Sequence, residues 1–317
     1  MFLRYREGSN IKNKQSAFMA DFSLKGMGVA LVTPFREDKT VDFEALARLL
    51  DFHLQSGTDF LVVLGTTAET ATLTHDECNQ IVRFVVAHVG EKLPIVVGLG
   101  GNDTMALVEE LKSFDLEGVH SLLSVTPFYT RPSQEGLYQH FKAVCEASPL
   151  PIVLYNVPAR TGVNMTADTT LRIARDCKNV IGIKEAHCDM NQVKELIRGA
   201  PTGFSVLSGD DPMTIDLIRA GGQGVISVLG NAFPKEFCAI VKLALQGDID
   251  NAKACFHQMN RCCELLFVDG NPAGAKCALY LMGYLKNELR LPLLPATVET
   301  ETALKQELDK CLSKTDR

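Results

Sequence analysis

The chain has 317 residues, of which 46% are hydrophobic and 22% are charged, and its formal net charge at pH 7 is −6. This composition is typical of a globular chain that can bury a large core. The negative charge argues against nucleic acid or an anionic membrane as a partner, and no apolar run approaches the ~20 residues needed to span a bilayer.

The first 22 residues are rich in Arg, Lys, Asn and Gln, and they lack the apolar core of a secretory signal. We interpret residues 1–22 as a disordered leader or extension, with Met19 as an alternative start of translation. The ten cysteines form no Cys-x-x-Cys pair. We therefore expect reduced thiols and a cytoplasmic protein.

Short apolar runs alternate with stretches of helical periodicity from residue 23 onwards. A continuous apolar run bounded by turn signals is typical of a parallel strand that is buried on both faces. The eight runs are Gly28–Thr33, Phe60–Gly65, Pro94–Leu99, Val119–Thr126, Pro151–Asn156, Val180–Lys184, Phe204–Gly209 and Gly224–Gly230. Eight such units over about 250 residues favour a closed (β/α)8 TIM barrel of the α/β class, spanning residues 23–246. Counting leaves an open doubly wound sheet as the alternative, although no Gly-x-Gly-x-x-Gly follows the first run.

Four helical segments follow the eighth run. They are Pro234–Gln246, Asn251–Phe267, Gly274–Asn287 and Thr297–Ser313, separated by the breakers Gly247, Gly270-Asn271-Pro272 and Pro292–Pro295. The first of them would complete the barrel. The other three predict a C-terminal helical subdomain over residues 247–317 that packs on the barrel or on another subunit.

Polar side chains stand where the predicted strands end. In a (β/α)8 barrel the chemistry lies at the C-terminal ends of the strands and in the loops that follow them. The residues found there are Thr66, Thr67, Tyr129, Tyr155, Arg160, Lys184 and the segment Ser208–Asp210. Hydroxyls, phenols, a guanidinium and an amine at one barrel mouth predict a site for a small carboxylated carbonyl compound.

Lys184 is the last residue of an apolar run, and a lysine at this buried position is predicted to act as a nucleophile. Burial favours the neutral form of an amine, and a neutral amine can attack a ketone or aldehyde to form an imine, which then acts as an electron sink. The alternative is a strand-end lysine in a salt bridge with Glu185 or another acid.

Each of the other candidates also has a structural interpretation when it is taken alone. Tyr155 and Tyr129 would be buried aromatic residues, Thr66–Thr67 would cap a helix, and Arg160 would pair with an acid. Gly209 and Gly224 would be turn glycines and Asp210 a helix cap. The functional interpretation is favoured because all of these residues occur together.

Six motifs in the chain resemble those of the dihydrodipicolinate synthase family. That family belongs to the pyruvate-dependent class I aldolases typified by N-acetylneuraminate lyase. The resemblance runs from about Gly26 to about Pro295, with the motifs in order. They are Gly65–Glu69, Thr126–Tyr129 with Arg131–Gln134, Tyr155–Gly162, Gly182–Ala186, Ser208–Asp211 and Gly224–Ser227.

The resemblance implies a role for each candidate in condensing pyruvate with L-aspartate 4-semialdehyde, the first committed step of diaminopimelate and lysine biosynthesis. Lys184 would form the Schiff base, and Tyr155 would be the proton donor and acceptor. Thr66 and Tyr129 would complete a proton relay. Substrate binding would fall to Thr67, to the Ile226 backbone and Gly209 on the pyruvate side, and to Arg160 for the semialdehyde carboxylate.

The resemblance also implies an assembly, because the family's second relay tyrosine, here Tyr129, reaches the site of a neighbouring subunit. We therefore expect a homo-oligomer, with a tetramer built as a dimer of dimers. No cofactor and no metal is expected, since the imine does the work that zinc does in class II aldolases.

Two alternatives to this function remain. The same barrel and lysine serve pyruvate-forming lyases of the N-acetylneuraminate lyase or 4-hydroxy-2-oxoglutarate aldolase type, but these usually differ from the synthases at the position of Arg160. A non-catalytic 2-oxo acid binding barrel is the other alternative. It would predict damage to the lysine or to the relay, and the sequence shows none.

A regulatory site for L-lysine is expected to be degraded. Thr70, Ala71, His75 and Asn102 match family positions that bind the inhibitor at the subunit interface. However, Cys78, Ala106 and Phe128 replace a histidine, a glutamate and a tyrosine that are common in lysine-sensitive members. Losing the glutamate removes the charge partner of the bound ammonium, so weak or absent feedback inhibition is expected.

Overall fold

Eight parallel strands close into a barrel in the order β1 to β8, which confirms the predicted (β/α)8 fold. The computed structural model describes residues 24–315, with side chains described up to residue 310, so the predicted leader with Met19 lies outside the described residues. The strands are β1 (Gly26–Ala30), β2 (Phe60–Val63), β3 (Ile95–Gly98), β4 (Ser121–Val125), β5 (Ile152–Asn156), β6 (Val180–Glu185), β7 (Ser205–Ser208) and β8 (Gly224–Ser227).

Helices alternate with these strands and form the outer layer. They are α1 (Phe43–Ser56), α2 (His75–Val89), α3 (Thr104–Ser113), α4 (Gln134–Ala147), the single turn α5 (Pro158–Thr161), α6 (Ala167–Asp176), α7 (Met190–Gly199), α8 (Thr214–Arg219) and α9 (Pro234–Leu245). Sequence signals explain where they begin. For example, α2 starts with a capping box, in which Thr74 and Glu77 satisfy each other's backbone N–H groups at 3.2 and 2.9 Å.

The barrel closes where β8 pairs with β1. Gly224 lies so close to the neighbouring strand that a Cβ atom on it would stand 1.9 Å from the Gly26 carbonyl oxygen. Its φ of +152° also falls where other residues are strained. A glycine at this position therefore allows the first and last strands to meet.

Apolar side chains fill both the space inside the barrel and the layer between the barrel and the helices. The larger cluster packs the helices against the outer face of the strands. The smaller cluster lies inside the barrel and includes Phe60, Val96, Leu123, Tyr155 and Ile226. Two of the predicted site residues thus belong to the packed interior of the barrel, which holds them rigidly.

The C-terminal segment is helical, as predicted, but its boundaries differ. It contains α10 (Ile249–His257), α11 (Asn260–Leu265), α12 (Ala273–Leu281) and α13 (Val298–Thr315). The predicted helix Asn251–Phe267 is split, because Gln258 and Met259 donate i→i−3 hydrogen bonds that tighten the chain into a turn. The predicted helix Gly274–Asn287 ends early, ahead of Gly283, whose φ is +81°.

A buried ion pair attaches the C-terminal segment to the barrel. The Lys276 ammonium donates to the Glu69 carboxylate, and both side chains are completely buried. The Arg290 backbone N–H also donates to Glu69 at 2.9 Å, and Lys276 donates to the Glu288 carbonyl at 2.9 Å. Each charge therefore has further partners, which a buried pair needs to be stable.

Two further findings concern the described residues. Among the helices of the described part, none combines the length and the apolarity that crossing a bilayer requires. Among the cysteines whose side chains are described, free thiols are found at Cys78, Cys145, Cys177, Cys188, Cys238, Cys255, Cys263 and Cys277.

The Glu69–Lys276 pair generates a stability prediction. Lys276→Met should lower the free energy of unfolding by about 3–5 kcal/mol, because Glu69 would remain buried and charged without its partner. Lys286→Met, which removes the exposed partner of Glu37, is the matched control and should leave the unfolding midpoint unchanged. Urea unfolding at one fixed protein concentration measures both. Equal midpoints for the two variants would contradict the prediction.

Candidate active site

The barrel register brings Lys184 and Tyr155 together. They are paired neighbours at the ends of β6 and β5, and both are buried, with 5% and 7% of their surface exposed. The Lys184 Nζ lies 4.4 Å from the centre of the Tyr155 ring. The two residues for which the sequence predicts the central chemistry therefore form one unit.

The surroundings of Lys184 favour its neutral form. The pKa of the Lys184 amine is lowered to about 8, mainly by burial; the Asp211 carboxylate opposes this change and the nearby Arg160 charge contributes to it. With a pKa of about 8, about one amine in ten is neutral at pH 7, compared with fewer than about one in a thousand for an ordinary lysine. The amine is thus available as a nucleophile without being stranded as a buried charge.

Tyr155, in contrast, is kept protonated. Burial raises the pKa of the Tyr155 phenol to about 12, although the Arg160 charge and a hydrogen bond with the Thr66 side chain lower it. The phenol therefore keeps its proton at neutral pH and can donate it beside the lysine. Thr66 lies in the 3₁₀ turn Thr66–Ala68 that follows β2, so the β2 loop supplies the contact.

Gly209 makes room for the lysine side chain. A Cβ atom on this residue would lie 3.1 Å from both Cγ and Cε of Lys184 and 2.7 Å from the Ala186 Cβ. The glycine follows β7, and its N–H donates to the Glu185 carbonyl at 2.7 Å. Its place in the predicted site is thus explained by the space that it leaves for Lys184.

Asp211 is a site residue that the sequence analysis did not single out. It is buried, and its carboxylate accepts from the backbone N–H groups of Val228 and Leu229 at 3.1 and 2.8 Å. Burial raises the pKa of this carboxyl to about 6. The sequence signal that could have identified Asp211 is its place as the second of two acidic residues after β7. Its neighbour Asp210 accepts from the Met213 N–H at 3.0 Å, as a cap would.

The two residues predicted to bind pyruvate lie in the interior of the fold. Ile226 is in β8 and belongs to the cluster inside the barrel. Thr67 is buried in the turn after β2, and its hydroxyl oxygen accepts from the Asn271 amide at 2.9 Å. Asn271 comes from the C-terminal segment, where the sequence suggested only a helix breaker.

Arg160 stands at the entrance. It is exposed, in the single turn α5, and its charge acts on both Lys184 and Tyr155. Among the residues that the structure describes, no carboxylate forms an ion pair with it. Its guanidinium is therefore available for an anionic group.

Tyr129 is the predicted relay residue that a single chain does not bring into the site. Its side chain is 88% exposed, and its φ of 74° lies in the left-handed region. The Tyr129 N–H donates to the Thr161 carbonyl at 3.3 Å. The loop thus holds an aromatic side chain away from the barrel in an unfavourable backbone conformation.

A cavity of about 590 Å³ opens beside the site, lined by Thr66, Tyr155, Arg160 and Asn271. Its volume is within the range of small-molecule sites.

The same cavity extends to three of the four residues predicted for lysine regulation, Thr70, Ala71 and His75. The fourth, Asn102, donates to the carbonyl of Phe128, which lines the cavity, at 3.3 Å. Glu110, one helical turn beyond Ala106, also lines it, with its carboxylate 3.9 Å from the His75 Nδ1.

Comparison with known proteins points to one family. The model of the dihydrodipicolinate synthetase family matches residues 23–311. The 4-hydroxy-tetrahydrodipicolinate synthase of Parabacteroides distasonis is 56% identical over 290 residues, which are 92% of this chain and 98% of that protein.

Solved structures of dihydrodipicolinate synthases are also similar to this chain. A monomeric dihydrodipicolinate synthase variant is 41% identical, with a TM-score of 0.88, covering 90% of this chain and 96% of the other. The chloride-inhibited enzyme from Acinetobacter baumannii, complexed with pyruvate, is 37% identical, with a TM-score of 0.87, covering 90% and 98%.

The site electrostatics predict how the reactivity of Lys184 depends on pH. Only the neutral amine attacks a carbonyl, so its reaction rate should rise about tenfold per pH unit below pH 8 and level off above it. Asp211→Asn should move the midpoint below pH 8, because the carboxylate that raises the Lys184 pKa is lost. Sodium borohydride trapping of a small 2-oxo acid at several pH values measures this midpoint. A midpoint near 10.5 in the unmodified protein would contradict the prediction.

Proposed function

The chain belongs to the dihydrodipicolinate synthetase family, and on that premise we propose that it condenses pyruvate with L-aspartate 4-semialdehyde to give 4-hydroxy-tetrahydrodipicolinate. It is thus an enzyme of the lyase class in the diaminopimelate and lysine pathway. The observation that carries the proposal is the buried pair of Lys184 and Tyr155, a poised amine beside a protonated phenol. The free thiols fit the cytoplasm, where we place the reaction.

The first step is imine formation. The neutral Lys184 amine attacks the keto carbon of pyruvate, and the Tyr155 phenol gives a proton to the oxygen that leaves as water. Loss of a proton from the methyl group of the imine then gives an enamine. Thr66, hydrogen-bonded to Tyr155, is placed to accept and return protons during these transfers.

The second step joins the two substrates. The enamine carbon attacks the aldehyde of the semialdehyde and forms the new C–C bond, with Tyr155 as the proton source for the resulting alkoxide. The amino group of the second substrate then attacks the imine carbon, closes the ring and releases Lys184. In this scheme the Thr67 hydroxyl and the Ile226 backbone hold the pyruvate carboxylate, and Arg160 holds the semialdehyde carboxylate.

The exposure of Tyr129 supports an oligomer as the active form. An aromatic side chain that is 88% exposed on a left-handed backbone is costly unless another surface covers it. We propose that Tyr129 completes the proton relay in a neighbouring subunit, in a homodimer that pairs further into a tetramer. A related synthase is known as a monomeric variant, which fits oligomerisation as the usual state.

Borohydride trapping with pyruvate, followed by peptide mapping, tests the chemistry and the substrate together. We expect a pyruvyl adduct on Lys184 and pyruvate consumption only when the semialdehyde is present. Lys184→Ala should abolish the adduct, and Lys178→Arg, a substitution in the loop before β6, should not. An adduct without semialdehyde turnover would favour a pyruvate-forming lyase. No adduct on Lys184 would refute the imine mechanism and favour a binding protein.

Arg160 provides a test of the second substrate. Arg160→Ala should raise the KM for the semialdehyde by about ten- to a hundredfold, because the variant loses a charge-assisted hydrogen bond to the semialdehyde carboxylate. Because the variant also loses the positive charge that lowers the Lys184 pKa, pyruvate trapping should be compared well above pH 8, where the amine is neutral in both proteins and the rate should be unchanged. Arg172→Ala, which removes an exposed partner of Glu135, is the control. An unchanged KM for the semialdehyde would contradict the role of Arg160.

Feedback inhibition by L-lysine should be weak or absent, because Ala106 cannot supply a carboxylate for the bound ammonium. Steady-state rates should stay constant at micromolar lysine, and Ala106→Glu should introduce inhibition. Inhibition of the unmodified enzyme at micromolar lysine would contradict this. In that case Glu110→Ala would show whether the carboxylate one turn further along α3 acts instead.

A further inference from the structure

A residue of the C-terminal segment reaches the turn that binds the substrate carboxylate in the proposed mechanism. We propose that Asn271 is a positioning residue, whose amide sets the direction of the Thr67 hydroxyl proton so that Thr67 donates to the carboxylate of the 2-oxo acid. This inference rests on the proposed function, because it presumes that pyruvate binds at Lys184.

The hydrogen bond between Asn271 and Thr67 can run in only one direction. The Asn271 amide nitrogen can only donate, and it lies 2.9 Å from the Thr67 hydroxyl oxygen. The hydroxyl oxygen is thus occupied as an acceptor, and its single proton must point elsewhere. Across the part of the chain with described side chains, no acceptor takes that proton. A carboxylate oxygen in the site would complete the pattern.

The other end of the Asn271 amide is left without a hydrogen-bond partner among the described residues. Asn271 is 9% exposed, and its Oδ1 is buried. The residue lines the cavity together with Thr66 and Tyr155. Buried polar atoms are seldom left unpaired, and such atoms mark places where a ligand or solvent completes the hydrogen bonding. Asn271 therefore borders the space that a substrate enters.

Both partners of the hydrogen bond are held in place by the same buried ion pair. Glu69, two residues after Thr67, has a left-handed backbone with φ 58°. Its carboxylate accepts from Lys276, which lies five residues after Asn271. Because the turn and the segment are joined at this second point, the 2.9 Å contact is part of a rigid frame.

The experiment compares how fast Lys184 is trapped by borohydride with pyruvate and with acetaldehyde, a carbonyl compound that has no carboxylate. The ratio of the two rates reports carboxylate binding and cancels changes in the reactivity of Lys184. Asn271→Asp would accept the Thr67 proton and repel the substrate, so the ratio should fall at least about tenfold; Asn271→Ala should lower it by a smaller factor. Asn260→Asp, the same substitution in α11, should leave the ratio unchanged.

A double-mutant cycle tests whether Asn271 acts through Thr67. Thr67→Val should lower the ratio, and adding Asn271→Ala to it should change the ratio by less than about twofold. Additive effects, or an unchanged ratio in both Asn271 variants, would overturn the inference. If Asn271→Asp does not fold, the ratio for Asn271→Ala decides. No trapping at Lys184 in the unmodified enzyme would instead refute the proposed function.

Discussion

The burial of one lysine amine at the mouth of the barrel is the constraint on which the rest of the site depends. A closed sheet surrounds the end of β6 with other strands, so the Lys184 amine loses most of its water and its pKa falls to about 8. That loss of solvation has to be balanced. Asp211 supplies a negative charge, Tyr155 offers its ring face at 4.4 Å, and Gly209 leaves the space in which the side chain extends.

A buried polar network behind Tyr155 and Lys184 keeps β5 and β6 in register. Asn156 and Glu185 are the next paired residues after Tyr155 and Lys184, and strand alternation turns their side chains away from the barrel interior. The Asn156 amide donates to both Glu185 carboxylate oxygens at 3.0 and 3.1 Å, and Gln192 donates to one of them at 2.9 Å. A shift of either strand would break these bonds, so the network protects the geometry of the site.

The C-terminal segment serves the site as well as the fold. Glu69 binds Lys276 in the buried layer, and the same turn of the chain carries Thr66 and Thr67. Neither Glu69 nor Lys276 would be stable in this layer without the other, because an unpaired buried charge is strongly destabilising. The connection therefore ties the position of the turn Thr66–Ala68 to the correct docking of the C-terminal helices.

The sequence by itself determined the barrel and predicted where its chemistry would lie. Apolar runs and helical periodicity are local properties, and the rule that chemistry lies at strand ends places Lys184, Tyr155 and Arg160 at one mouth. The sequence did not reveal Asp211 as a partner of the lysine, or Asn271 as a neighbour of Thr67. Both contacts join residues far apart in the chain. The split of the helix Asn251–Phe267 also escaped prediction.

Only the tertiary structure decided these points, because hydrogen bonds between distant segments leave no period or spacing in the sequence. Asn271 and Thr67 are separated by 204 residues, and Asn271 carries the same turn signal whether or not it touches a site. The exposure of Tyr129 was decided in the same way. The motif that contains Tyr129 predicts a functional role, whereas the folded chain leaves its side chain exposed on a left-handed backbone.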